Sequence, residues 1–188
     1  RIETATFLCA AAGCGGEGLL RRTDARVIQS VTALLRQTGC ELLKEQDAVL
    51  VRKTGKTAII SDVKTAVYPG FPTDCQAILT AALLRAEGES RIEETVFEDR
   101  FHHVPELRKL GAKLEIHHNT VHISGVRTLS GAKLTARDLR GGAALVLAAM
   151  QAEGESRVTG LEHIDRGYER FAEKLRALGA NIERCFDA

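Results

Sequence analysis

The sequence predicts an α/β (α+β) fold: an inside-out α/β barrel of three βαβαββ units, with buried parallel helices and the sheets outside them. Two observations carry this prediction. Three Ala-rich runs recur along the 188-residue chain, at residues 5–12, 75–84 and 143–150. A helix that is apolar nearly all round has no face to give to water and must be buried on every side. The residues around these runs also repeat. Ala86-Glu87-Gly88-Glu89-Ser90-Arg91-Ile92 matches Ala152-Glu153-Gly154-Glu155-Ser156-Arg157-Val158, and Asp99-Arg100 matches Asp165-Arg166 at the same displacement. Leu110-Gly111-Ala112 matches Leu178-Gly179-Ala180 after a two-residue slip. Self-similarity of this kind marks one supersecondary unit written several times.

Each unit reads the same way: a buried helix, a Gly-Glu or Glu-Gly turn, a short strand, a polar helix, then a Gly followed by another strand. The first unit, about residues 1–60, begins at its buried helix. It continues through Gly16-Glu17-Gly18-Leu19-Leu20 and an amphipathic helix over residues 24–37 to Thr38-Gly39-Cys40. The second, about 61–128, is the most complete. A strand over 63–67 leads into the turn-rich Tyr68-Pro69-Gly70-Phe71-Pro72, and the buried helix starts after Thr73-Asp74. Then come a strand over 90–94, a helix over 104–110, and a hairpin of 113–116 and 121–124 that turns at His118-Asn119. The third, about 129–188, runs from a strand over 132–135 through the buried helix and an amphipathic helix over 168–178 to a strand over 181–185. The first unit lacks its leading strand and the third its last. The chain opens at Arg1-Ile2-Glu3 without Met, so it reads as a single domain cut from a longer polypeptide. A segment ahead of Arg1 is expected to supply both strands.

Composition excludes several functions. Formal net charge is +1, Trp is absent, and only two Tyr and six Phe occur. Neither a field for nucleic acid nor a base-stacking surface is expected. No apolar stretch is long enough to span a membrane, and no signal peptide is visible. The five cysteines are odd in number and form no Cys-x-x-Cys pair, which suits a reduced, cytoplasmic protein. His117, His118 and His122 flank the hairpin turn without a carboxylate or Cys that completes a metal set, so a solvated hairpin is the expectation.

Parallel buried helices gather their N-termini, with unpaired N–H groups and positive dipole ends, at one mouth suited to an anion. Beside that mouth stand Arg1, Glu3, Thr73, Asp74, Asp138 and Arg140. Each feature has a plainer reading. Asp74 is also a good helix-start residue, the Asp-Arg pairs also suit structural ion pairs, and Gly141-Gly142 serves either close packing or substrate approach.

Several motifs, in order, resemble the C-terminal domain of the UDP-N-acetylglucosamine enolpyruvyl transferases (1-carboxyvinyltransferases). They are Pro69-Gly70-Phe71-Pro72-Thr73-Asp74, Glu98-Asp99-Arg100-Phe101, His103-Val104-Pro105-Glu106-Leu107, Asp138-Leu139-Arg140 and His163-Ile164-Asp165-Arg166-Gly167-Tyr168-Glu169. The resemblance covers essentially the whole chain. It implies an enolpyruvyl transferase-like fold of two domains, each of three such units, with the active site between them. It implies the bacterial, cytoplasmic first committed step of peptidoglycan synthesis. Phosphoenolpyruvate gives its enolpyruvyl group to the 3′-hydroxyl of UDP-N-acetylglucosamine through a tetrahedral ketal, without metal or organic cofactor. By the same resemblance Asp74 contacts the sugar hydroxyl as general base, and Val96 meets the UDP-sugar through its backbone. Arg140 and Arg166 grip the phosphoenolpyruvate carboxylate, Arg100 lines the cleft, and Asp138 sits beside Arg140. The partner is the missing N-terminal domain, which in the family bears the mobile cysteine loop and a Lys-Asn pair. Cys75 is not that cysteine, and this chain alone is expected to be inactive. Two rival readings stand: a non-catalytic binding or assembly module, and a shikimate-pathway enolpyruvyl transferase.

Overall fold

The computed structural model describes residues 1–185; the last three residues of the third expected unit lie outside the described residues. The Ala-rich runs become α1 (Ile2–Cys14), α3 (Gln76–Leu83) and α5 (Leu139–Ala149). All of α3 is buried, as are residues 141–148 of α5. The three helices pack against one another, and contacts at both ends show that they run parallel. At one end, Asp74, just before α3, lies 3.5 Å from Arg140 in the first turn of α5, and Thr6 of α1 bonds Tyr168, over whose ring Arg140 lies. At the other, Gln151 Nε2 donates to Ala81 O of α3 (2.9 Å) and Leu147 O of α5 (3.1 Å). Gly13 of α1 fits beside that amide, where an added Cβ would come within 2.9 Å of Gln151 Nε2.

Among the described residues three sheets pack against the helices. β1 (Gly16–Arg21), β2 (Glu41–Lys44) and β3 (Ala48–Lys53) form an antiparallel sheet in the order β1-β3-β2. α2 (Gln29–Gln37) connects β1 to β2. The second sheet has the order β4-β5-β7-β6, from β4 (Asp62–Lys64), β5 (Glu89–Glu93), β6 (Lys113–His117) and β7 (Thr120–Ser124). Only the β4–β5 pair is parallel in it. With α4 (His103–Lys109) this stretch runs β4-α3-β5-α4-β6-β7, the βαβαββ order. β8 (Lys133–Thr135) and β9 (Arg157–Thr159) form a parallel pair, followed by α6 (Leu161–Asp165) and α7 (Phe171–Ala177). Strand side chains alternate: Ser90 and Ile92 of β5, like Val121 and Ile123 of β7, are buried while their neighbours face outward or lie half-buried.

A repeated joint turns each covering helix into the next segment. Arg36, Arg108 and Arg176 each donate to a carbonyl six residues on: Leu42 O (3.2 Å), Leu114 O (2.9 Å) and Ile182 O (2.9 Å). Three residues after each Arg stands a glycine at positive φ, Gly39 (88°), Gly111 (88°) and Gly179 (95°), the left-handed helix end that only glycine enters without strain.

Three local expectations are corrected. Residues 181–185 form no strand. In the complete sheet β7, the last strand of its unit, lies between β5 and β6. Residues 181–185 hold the place of β6, and no strand follows them among the described residues to supply a ladder. Second, the strand expected over 63–67 ends at Lys64, because the chain turns back at Ala66, whose N–H bonds Phe71 O at 2.8 Å. Third, residues 161–165, which the sequence reading leaves without a helix, form α6; Ile164 docks on Gly142, where an added Cβ would meet it at 2.8 Å.

Lys53, only 2% exposed, ends β3 with its ammonium donating to Thr54 O (2.9 Å), Gly55 O (2.9 Å) and Lys56 O (2.7 Å). Lys53→Met removes three charge-assisted bonds around a turn that water reaches in part. It is expected to cost about 2 kcal/mol in urea unfolding; an unchanged midpoint would show that the ammonium does not hold this turn.

Candidate active-site cleft at the helix mouth

The 3-10 turn Thr73–Cys75 carries Asp74 into the opening ahead of α3. Asp138 caps α5, its Oδ1 accepting from Gly141 N at 2.7 Å. The first turn so fixed presents Arg140, whose Nη2 lies 3.5 Å from Asp74 Oδ2. The loop after β5 brings Arg100 from the other side, with Nη1 3.2 Å from Asp74 Oδ1 and 3.1 Å from Thr73 Oγ1. Asp74 is therefore bracketed by two guanidiniums, one from the second repeat and one from the third. Each guanidinium rests on an aromatic ring: Arg100 lies 4.7 Å from the Phe97 centroid and Arg140 5.4 Å from that of Tyr168. Tyr168 is itself buried, with its hydroxyl 2.8 Å from Thr6 Oγ1 of α1. Because Thr6 donates to Ile2 O (3.0 Å), the phenol is the donor between them. Arg140 thus stands on a support that reaches α1.

Thr73, Phe97, Arg100, Asp138 and Arg140 line one open cleft of about 250 Å³ with Gln76, His103 and Gly141, and Asp74 stands at its edge, held by both guanidiniums. The side chains of Asp74, Arg100 and Arg140 are 37%, 33% and 21% exposed, half-buried yet open to a ligand. The cleft can hold an anion on guanidiniums, whose planar fork matches a carboxylate, and offers Asp74 as a proton acceptor. Cys75, one residue on, offers no nucleophile: burial and the Asp74 charge, opposed in part by Arg140, push its thiol up to about 12.

The other expected residues are placed differently. Val96 lies on the loop between β5 and Arg100, with its N–H committed to Glu94 Oε1 at 2.9 Å. Any backbone contact it makes to a ligand must therefore come from its carbonyl. Asp138 lines the cleft but spends one oxygen on the cap. Arg166 is exposed at the end of α6, two residues before Tyr168, and no described contact joins it to Asp74, Arg100 or Arg140. The Asp neighbours of the repeated Arg residues are engaged elsewhere: Asp99 lies 3.6 Å from His102, and Asp165 forms an ion pair with Arg184 (2.6 Å). Glu3 turns from the mouth to Lys174 (2.7 Å), and Arg1 lies 5.5 Å from the Tyr68 ring centroid. Far from the cleft, His117 contacts His122 edge-on at 4.9 Å on the hairpin.

Sequence reasoning passed over Glu94. It is 2% exposed and accepts bonds at the rim of the cleft. The inward alternation of Ser90 and Ile92, carried two residues further, points to it.

The chain is similar to known proteins along its whole length. The model of the EPSP synthase (3-phosphoshikimate 1-carboxyvinyltransferase) family matches residues 1–175. A UDP-N-acetylglucosamine 1-carboxyvinyltransferase of Vibrio cholerae is 49% identical over 187 residues, covering 100% of this chain and 45% of the relative. That of Salmonella typhimurium is 52% identical over 184 residues, 98% of this chain and 44% of the relative. The chain thus spans under half the length of the curated relatives it matches. Among solved structures, the enolpyruvyl transferase NikO of Streptomyces tendae superposes with a TM-score of 0.81 at 30% identity, over 97% of this chain and 43% of that one. EPSP synthase from Acinetobacter baumannii shares the fold, with a TM-score of 0.77 at 18% identity over 98% and 46% of the two chains.

His103 adds a pH dependence. Burial pushes its imidazole down to about 4, with Asp138 opposing and His102 adding to the shift. The unfolded side chain titrates near pH ~6.5. Between those values the unfolded chain binds a proton that the folded one does not, so stability is full above the window and falls with pH through it. From about pH 7 to about pH 5 this costs about 2 kcal/mol. Urea unfolding of His103→Leu should lack that portion of the acid loss; an unaltered pH slope would contradict it.

Proposed function

Since this chain belongs to the EPSP synthase (3-phosphoshikimate 1-carboxyvinyltransferase) family, we propose that it is the C-terminal half of a two-domain transferase. The enzyme moves the enolpyruvyl group of phosphoenolpyruvate to the 3′-hydroxyl of UDP-N-acetylglucosamine and releases phosphate, in the cytoplasm of a bacterium, as the first committed step of peptidoglycan synthesis. The observation that carries this reading is Asp74 held between Arg100 and Arg140 at the start of the buried helices. The names of the relatives at 49% and 52% identity favour the sugar nucleotide over shikimate 3-phosphate as acceptor. No helix of the described residues is long and apolar enough to cross a membrane.

In the proposed mechanism, Asp74 has two states. Without ligand it is the counter-ion of two guanidiniums. When the phosphoenolpyruvate carboxylate occupies Arg140 in a two-pronged contact, Asp74 is released to accept the proton of the sugar hydroxyl. The hydroxyl oxygen then bonds C2 of the enol while a proton adds to its methylene carbon, making a methyl group; the resulting ketal loses phosphate from C2 and a proton from that methyl, which restores the double bond. Arg166 is exposed, and in this mechanism it swings toward Arg140 to share the carboxylate. Asp138 holds Arg140 through the α5 cap, and the Val96 carbonyl faces the sugar nucleotide. The remaining donors come from the N-terminal domain, which closes the cleft.

In the full-length enzyme Asp74→Asn should lower kcat by about 10²–10⁴-fold, the range of a lost general base, with a small change in KM. Arg166→Ala should instead raise the KM for phosphoenolpyruvate. This chain alone should give no turnover, and shikimate 3-phosphate should not compete. A normal kcat for Asp74→Asn removes the base assignment; competition by shikimate 3-phosphate moves the enzyme to the sister reaction.

A further inference from the structure

A buried carboxylate outside the reacting cluster ties Thr73 to the Val96–Phe97 loop on one side of the cleft. Glu94 follows β5, 2% exposed, and its side chain makes no ion pair among the described residues. Four neutral donors surround it. Oε1 accepts from Thr65 Oγ1 (2.8 Å), Val96 N (2.9 Å) and Phe97 N (3.2 Å), and Oε2 accepts from Thr73 Oγ1 (2.8 Å). A carboxylate only accepts, so both threonine hydroxyls must spend their proton on it. Their oxygens are then turned to accept: Thr65 Oγ1 from Thr95 N (2.8 Å), and Thr73 Oγ1 from Arg100 Nη1 (3.1 Å). Arg100 Nη1 also reaches Asp74. The hairpin fixes the hub from behind, since Glu94 N donates to Asn119 O (2.7 Å) and Asn119 Nδ2 to Glu94 O (3.0 Å).

We infer that Glu94 is a positioning residue: it sets the polarity of Thr73 and the path of the loop through Val96 and Phe97, and through them aims Arg100 at Asp74. Leaving a carboxylate buried among neutral donors is costly unless each bond is made, so this arrangement tolerates one acceptor geometry. Glu94→Gln keeps the shape but puts an amide donor where a hydroxyl or two N–H groups already donate. The consequence for turnover rests on the proposed reaction; the consequence for the loop does not.

The test is therefore run in two arms on the full-length protein. Without substrate, Glu94→Gln should raise amide hydrogen exchange at residues 95–97 at least about tenfold, while β7 stays protected. With phosphoenolpyruvate and UDP-N-acetylglucosamine, kcat per folded enzyme should fall about ten- to a hundredfold, the scale of an ångström-sized misplacement. In a Thr73→Val background the part of that loss carried through Thr73 should vanish, because that route to Arg100 is already cut, so the two losses should combine to clearly less than their product. Unchanged exchange at 95–97 overturns the inference. So does raised exchange with normal kinetic constants per folded enzyme, which is what a purely structural carboxylate gives, and so does strict additivity with Thr73→Val. If the unmodified enzyme does not turn these substrates over, the functional reading fails, and the exchange arm still decides whether Glu94 fixes the loop.

Discussion

Three helices without a polar face can be buried together only if their ends, not their sides, meet water. That constraint organises the molecule. The sides of α1, α3 and α5 are closed by one another and by the sheets. Because the helices run parallel, all the unpaired N–H groups come to one end and all the unpaired carbonyls to the other. The carbonyl end is shut from within: Gln151 spends its amide donors on Ala81 O and Leu147 O. The N–H end is left open and lined with Asp74, Asp138, Arg100 and Arg140. The polarity of three buried helices therefore decides where the proposed ligand site stands, ahead of any choice of side chain.

The repeat then explains why the site is asymmetric. Equivalent joints recur three times, in Arg36, Arg108 and Arg176 with their glycines. The cleft breaks that symmetry. Arg100 comes from a loop that crosses Phe97 to reach Asp74, whereas its sequence counterpart Arg166 follows a helix, α6, and stays outside the ion-paired group. Arg140 instead comes from the capped first turn of α5 and stands on Tyr168. One carboxylate thus meets guanidiniums delivered by two different kinds of element, on two different faces.

Much of this was legible in the residues. Burial on all sides leaves a compositional mark, so the Ala-rich helices read directly. Asp74 and Arg140 stood out because they start such helices, and Arg100 because it repeats. What stayed hidden depends on partners distant in the chain. Residues 181–185 have strand character, but a strand needs a ladder, and none of the described residues supplies it. Glu94 stands in an acidic stretch, Glu93-Glu94 to Glu98-Asp99, where composition gives no sign of which carboxylate is inside. Only the alternation with Ser90 and Ile92 marks it. The support of Arg140 by Tyr168 and Thr6 joins the two ends of the chain and has no local signal at all.

The central claim is that one opening, built by parallel helix starts, receives the anion. The most direct measurement is a titration of isotope-labelled protein with phosphoenolpyruvate, followed by amide chemical shifts. The account predicts saturable shifts concentrated at the starts of α3 and α5 and around Arg100, with the β6–β7 hairpin silent. Shifts centred on the hairpin or scattered over the sheets, with the helix starts unmoved, would contradict it.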